Sequence, residues 1–112
     1  MSFPKKVKVG HARYSMRHEK NLAAVAGANG SCGEDTQDIL IDPMMGPDME
    51  RDTVLHEVLH AVFHLADIRA NLPKDDNGDA KDAEEKIIRP LASRLLELLR
   101  DNPKLVAYLL EA

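Results

Sequence analysis

The spacing of apolar positions changes after residue 42. Before it, they come in short bursts: Val7 and Val9, Ala12 and Tyr14, Leu22 to Ala26, and Ile39 to Ile41 within "DILID". Bursts of this length read as strands, separated by the turn-rich "GANGSCGED" and closed by Pro43. After it, apolar residues recur three and four apart. This predicts a helix from about Pro47 to about Ala70, a break over "NLPKDDNGD", a second helix from near Ala80 to about Asp101, and a short third helix from Lys104 to Leu110. Pro47 suits a first helical turn, and Asp48 and Glu50 suit the positive end of the helix dipole. Strands first and helices after make an α+β arrangement: a small N-terminal antiparallel sheet, then helices, in a single domain spanning residues 1–112.

The first long helix carries an unusual stripe. "VLHEVLHAVFH" sets three histidines and a glutamate among seven apolar residues. With His56 at zero and ~100° per residue, Asp67 falls at ~20°, His60 at ~40°, Thr53 at ~60°, His64 at ~80° and Glu57 at ~100°. The reactive groups share one quarter of the circumference, and apolar residues cover most of the rest. Two histidines four residues apart can bring ring nitrogens to one metal ion. The glutamate beside the first is offset, so it can take a proton from a water that the metal acidifies. His56 and His60 are therefore the expected ligands of one Zn2+, and Glu57 the expected general base. The competing reading is a set of core histidines satisfied by hydrogen bonds. A purely structural zinc usually draws on several cysteines, and this chain has one, Cys32.

A catalytic zinc needs a third protein ligand and an open position. His64 lies ~12 Å along the axis from His56, too far to share an ion with it. Asp67 is farther still, and no glycine between His60 and Asp67 turns the chain back. The next helix offers Glu84, near the centre of the face set by Ile87, Ile88, Leu91 and Leu95, and Glu85, about 100° around at its edge. An inward carboxylate is costly when unpaired, and a metal resolves that cost. Glu84 is the expected third ligand and Glu85 the second choice. The plainer alternative is two solvated glutamates in a first turn, favoured by the dipole.

Charge adds little to this picture. The net charge is −4, but residues 1–20 hold six Lys/Arg against one acid, leaving −9 for the remainder. A basic arm can touch nucleic acid or an acidic partner. A solvated strand edge guarded by lysines is the simpler account. No helix carries basic residues suited to reading a groove, so nucleic acid is not expected as a partner. "DDNGD" lacks the residue order of a calcium loop and reads as a solvated turn. Cys32 reads as a buried turn thiol. One cysteine, no apolar leader and no membrane-length apolar run fit a cytoplasmic protein without a membrane partner.

His56-Glu57-Val58-Leu59-His60, followed by a helix that opens with Glu84-Glu85 and closes in Arg100-Asp101-Asn102-Pro103, resembles the minimal zincin metallopeptidases encoded by phages. The likeness extends over "CGEDTQDILID", "ERDTVLHEVLHAVFH" and "EEKIIRPLASRLLELLRDNPKLVAYL". It implies a gluzincin-like site, with a glutamate of the next helix as third ligand, and a peptide or flexible protein segment as substrate. It also implies a host-cell cytoplasmic setting and a strand, Ile39–Ile41, bordering a cleft where an extended peptide could pair. The family does not generally require His64. No Tyr or His is evident as an oxyanion stabiliser. His11, Tyr14, His18 and Tyr108 are the remaining ones, and Tyr108 reads as a core filler. A second function class remains: a zinc-containing regulatory or protein-binding module without turnover, in which Glu57 orients a histidine.

Overall fold

In the computed structural model, which describes residues 2–111, the elements run β1 (Lys6–Val9), β2 (Ala12–His18), α1 (Leu22–Ala26), β3 (Gly30–Gly33), β4 (Asp38–Ile41), α2 (Pro47–Leu65), a 3-10 turn (Arg69–Asn71), α3 (Lys81–Asp101) and α4 (Pro103–Leu110). This is an α+β fold, with a four-stranded sheet followed by helices. Strict alternation in β2 sorts its side chains. Ala12, Tyr14 and Met16 are buried, while Arg13, Ser15 and Arg17 are exposed. Helix α2 lies on the buried face, against β1, β3 and β4, and α3 packs on α2. Val9, Tyr14, Met16, Ile39, Ile41 and Ala61 form the core between sheet and helix. No helix among the described residues is long and apolar enough to cross a membrane.

The sheet order is β1-β2-β4-β3. The expected antiparallel sheet is mixed: β1–β2 and β3–β4 are antiparallel, but β2 pairs with β4 in parallel. The route from β2 to β4 passes through α1 and β3, which gives the chain length enough to return in the same direction.

Two N-terminal expectations change. Leu22–Ala26 is a helical turn, not a strand. Asn21 and Gly27 take left-handed conformations at its two ends, and the buried Asp42 carboxylate accepts from the Ala23 and Met44 amides. Those two backbone bonds hold the Asp42 carboxyl below its usual range. The second change is β3, a strand inside the stretch read as turn, so Cys32 sits in a strand rather than a turn.

Helix α2 also stops at Leu65 rather than near Ala70. Asp67 takes φ 59, a left-handed conformation that Asp tolerates better than most non-glycine residues. The Ile68 amide donates to the Phe63 carbonyl and the Asp67 amide to that of His64, the bond pair of a Schellman ending. The chain thus reverses without glycine and carries Arg69 back toward α3. Helices α3 and α4 lie within a residue of their predicted limits, and "DDNGD" is a turn in which the Asp75 carboxylate accepts from the Asn77 and Asp79 amides.

Candidate metal centre

Helix α2 presents His56, Glu57 and His60 to the first turn of α3. His56 Nε2 and His60 Nε2 are 3.2 Å apart. Glu85 Oε1 lies 2.5 Å from the first and 3.6 Å from the second. These three atoms lie within 4.8 Å of one another. Ligands ~2.1 Å from one tetrahedral ion stand about 3.4 Å apart, so the donor set has the scale of a zinc site. A further feature fits an ion. Glu85 Oε1 is buried, and beyond its 2.5 Å approach to His56 Nε2 no hydrogen-bond donor among the described residues satisfies it. A buried carboxylate oxygen set against two ring nitrogens that need not carry protons is an arrangement that a dication would resolve.

Glu84, the expected third ligand, is placed differently. Its side chain does point inward and is only 2 % exposed. But its Oε2 meets the other ring nitrogen of His60, Nδ1, at 2.5 Å. It therefore lies outside the group of converging donors, whose carboxylate is Glu85, the second choice from the sequence. Glu84 is held in turn by Arg69, whose Nε donates to Oε1 at 2.7 Å and whose Nη2 donates to Oε2 at 3.0 Å. Arg69 also donates through Nη1 to Glu34 Oε2 at 2.9 Å, and through Nη2 to Glu34 Oε1. The result is a chain of contacts, His60–Glu84–Arg69–Glu34, tying α2, α3, the 3-10 turn and the end of β3.

The electrostatics follow from these contacts. Burial pushes the Glu84 carboxyl up, but the hydrogen bonds from Arg69 and His60 outweigh it and hold the group below its ordinary range. Glu34 is also held low, first by its hydrogen bonds to Arg69. A carboxylate accepting at Nδ1–H selects the tautomer that leaves the Nε2 lone pair of His60 free. Burial lowers the pKa of His56, which favours its neutral, ligating form.

Glu57 is 7 % exposed, and burial pushes its carboxyl up to about 7, with His60 pulling it down and Glu85 raising it. A dication beside it would pull it down again. Its space is made by Gly30 of β3. A Cβ there would meet Glu57 Cγ and Oε2 at 3.0 Å and Thr53 Cγ2 at 2.8 Å. Glycine is needed here for close approach, and that requirement was the available signal that "GANGSCGED" touches the site.

A trough crosses the centre. On one side a cavity of about 360 Å³ is bordered by Cys32, Glu34, Arg69 and Lys81; on the other, one of about 450 Å³ is bordered by the 27–30 segment, Thr53 and Arg89; Glu57 and Glu85 line both. The strand beside the trough is β3, the sheet's edge, whereas Ile39–Ile41 pairs on both sides and cannot accept a further strand.

The remaining candidates lie elsewhere. His64 is exposed with its Nδ1 3.7 Å from Glu34 Oε2, and Asp67 is an exposed helix-terminating residue. Tyr14 is in the core, with its hydroxyl pKa raised by burial, and Tyr108 is 74 % exposed on α4 rather than filling the core. Cys32 borders the trough, its thiol pushed up to about 12 by burial and the nearby Glu57 and Glu34 carboxylates. No protein-family model, curated protein or solved structure matches this chain.

Proposed function

We propose that the chain is a zinc-dependent hydrolase whose ligands are His56, His60 and Glu85. Within that class, a peptidase is the reading best supported, of the minimal gluzincin-like kind that the sequence resembles. One observation carries it: three ligand atoms converge beside a buried carboxylate, Glu57, at the crossing of an open trough. Zinc bound there supplies a Lewis acid that makes water acidic near neutral pH. Glu57 then takes the proton of the attacking water and delivers it to the leaving amine. Glu84, held by Arg69, orients His60 rather than binding the metal. The free edge of β3 suits an extended peptide or flexible protein segment, paired through its backbone. A cytoplasmic setting fits the single free thiol.

The non-catalytic alternative assigned Glu57 to orienting a histidine. Among the described residues Glu57 makes no hydrogen bond to either ring, and Glu84 fills that role at His60. The test is metal content followed by cleavage of a peptide library. Retained zinc with full cleavage in Glu57→Gln would remove Glu57 from the chemistry. Zinc without any cleavage by the unmutated chain would return it to the binding-module class.

A further inference from the structure

The face of the sheet turned away from α2 has no part in this chemistry, yet its composition is specific. Strand register places four cations there. Lys6 and Lys8 of β1 alternate with the inward Val7 and Val9, and Arg13 and Arg17 of β2 alternate with the inward Tyr14 and Met16. Lys8 is directly opposite Arg13, and Lys6 is opposite Ser15. Side chains so paired have Cβ atoms about 5 Å apart, and like charges directly opposite destabilise a sheet. Arg17 reaches Glu19 at 3.5 Å, with both side chains largely exposed; Lys6, Lys8 and Arg13 have no ion pair among the described residues. The one acid at a register position on this face, Asp38, accepts from the Thr36 hydroxyl at 2.5 Å. A stripe in which Lys8 and Arg13 oppose each other and three of the four cations have no ion pair among the described residues points to a polyanion outside the chain.

We infer that this outer face binds the phosphate backbone of duplex nucleic acid, independently of base sequence. Three features favour that partner. Its one large apolar side chain at a register position, Leu40, is half-buried, so the face offers no exposed apolar anchor of the kind that protein interfaces and membrane-surface contacts use. It carries no aromatic side chain, so it offers no stacking platform for the bases of a single strand. It does carry hydroxyls, on Ser15 and on Ser31 of β3, which with lysine and arginine are common phosphate donors. Lys6 and Lys8 stand about 7 Å apart along one strand, and Arg13 and Arg17 about 13 Å apart along the next, so the cations form a broad band rather than a point. No groove-reading helix is required. The sequence alone showed a basic arm; the register gathers it onto one face.

The test is fluorescence anisotropy of the full chain with short labelled DNA duplexes of two unrelated sequences, from about 50 to about 200 mM salt. Both duplexes should bind equally, with log K falling against log salt at a slope approaching −3.6 for about four phosphate contacts, a loss of roughly 100-fold over that range. Lys8→Gln with Arg13→Gln should weaken binding and reduce the slope by about two, as should Lys6→Gln with Arg17→Gln, each with Tm unchanged or raised. Lys86→Gln with Lys104→Gln should change neither, and Glu57→Gln should bind as the parent does, which separates this result from the peptidase reading. No duplex binding at the low-salt end, or a slope untouched by both pairs of changes, would overturn the inference. So would capture of poly-glutamate in preference to the duplex, which would assign the face to an acidic protein.

Discussion

Helices α2 and α3 run antiparallel, and the two ends of their interface differ in kind. At one end His56, Glu57 and His60 face Glu84 and Glu85, and the contacts are between ionisable groups. Toward the other end Leu55 of α2 and Leu96 and Leu99 of α3 border a mostly apolar groove with Phe3 alongside and Glu50 and Arg51 at its edge, and Ser93 donates to Asp52 at 2.9 Å between the two helices. The apolar end stabilises by area removed from water and accepts other side chains of similar volume. The ionic end stabilises only while every buried group keeps its partner. One helix pair therefore holds a tolerant clamp and an intolerant site.

This contrast can be broken most severely at Glu57. Glu57→Gln should lower kcat for peptide cleavage by on the order of 10³-fold while zinc content, read by atomic absorption, stays that of the parent. The next effect separates neighbours. Glu84→Ala should weaken zinc by roughly 10- to 100-fold, and Glu85→Ala by more, in a competition titration with a chromophoric chelator. The opposite order would restore Glu84 as the ligand. Arg69→Met leaves the Glu84 carboxylate short of a partner and should lower the stability of the metal-free chain by about 2–3 kcal/mol in urea melts. At the apolar end, Leu99→Ala should cost about 1–2 kcal/mol, since Leu99 is only half-buried, with zinc affinity unchanged. An altered zinc affinity there would mean that the two ends are coupled.

The smallest effect concerns acid. The Glu34 carboxyl is held low in the folded chain, chiefly by its hydrogen bonds to Arg69. Its contribution to stability is present above the unfolded carboxyl value of about 4.3 and is lost as pH falls through the folded value. Glu34→Gln should therefore flatten the decline in Tm on acidification below about pH 4.3 and lower Tm slightly at neutral pH.

Much of this was legible in the residues. Period alone located α2, α3 and α4 and put His56, Glu57 and His60 on one face. Period also made Glu84 the inward residue, and it is buried. What period cannot encode is how two helices are rotated and spaced against each other. The centre of the α3 face proved deep enough to meet Nδ1 of His60, while its flank, Glu85, meets the Nε2 side. Arg69 was missed because α2 was drawn through it; the left-handed residue that ends the helix is an aspartate, not the glycine usually sought. Glu34 had no local signal. Its role exists only because β3, the reversed chain after Asp67 and α3 converge.

The two glutamates are consecutive, and their duties differ by one position of α3. The segment between the 3-10 turn and α3, residues 72–80, has no regular structure, and its residues are mostly exposed. Insertions and deletions there change only the length of a tether, whose closure entropy varies slowly with length. A single residue gained or lost within α3 just before Glu84 would instead rotate both carboxylates by about 100°, and neither would keep its role. Descendants of this chain can thus diverge freely in the tether, while α3 is locked in phase with α2.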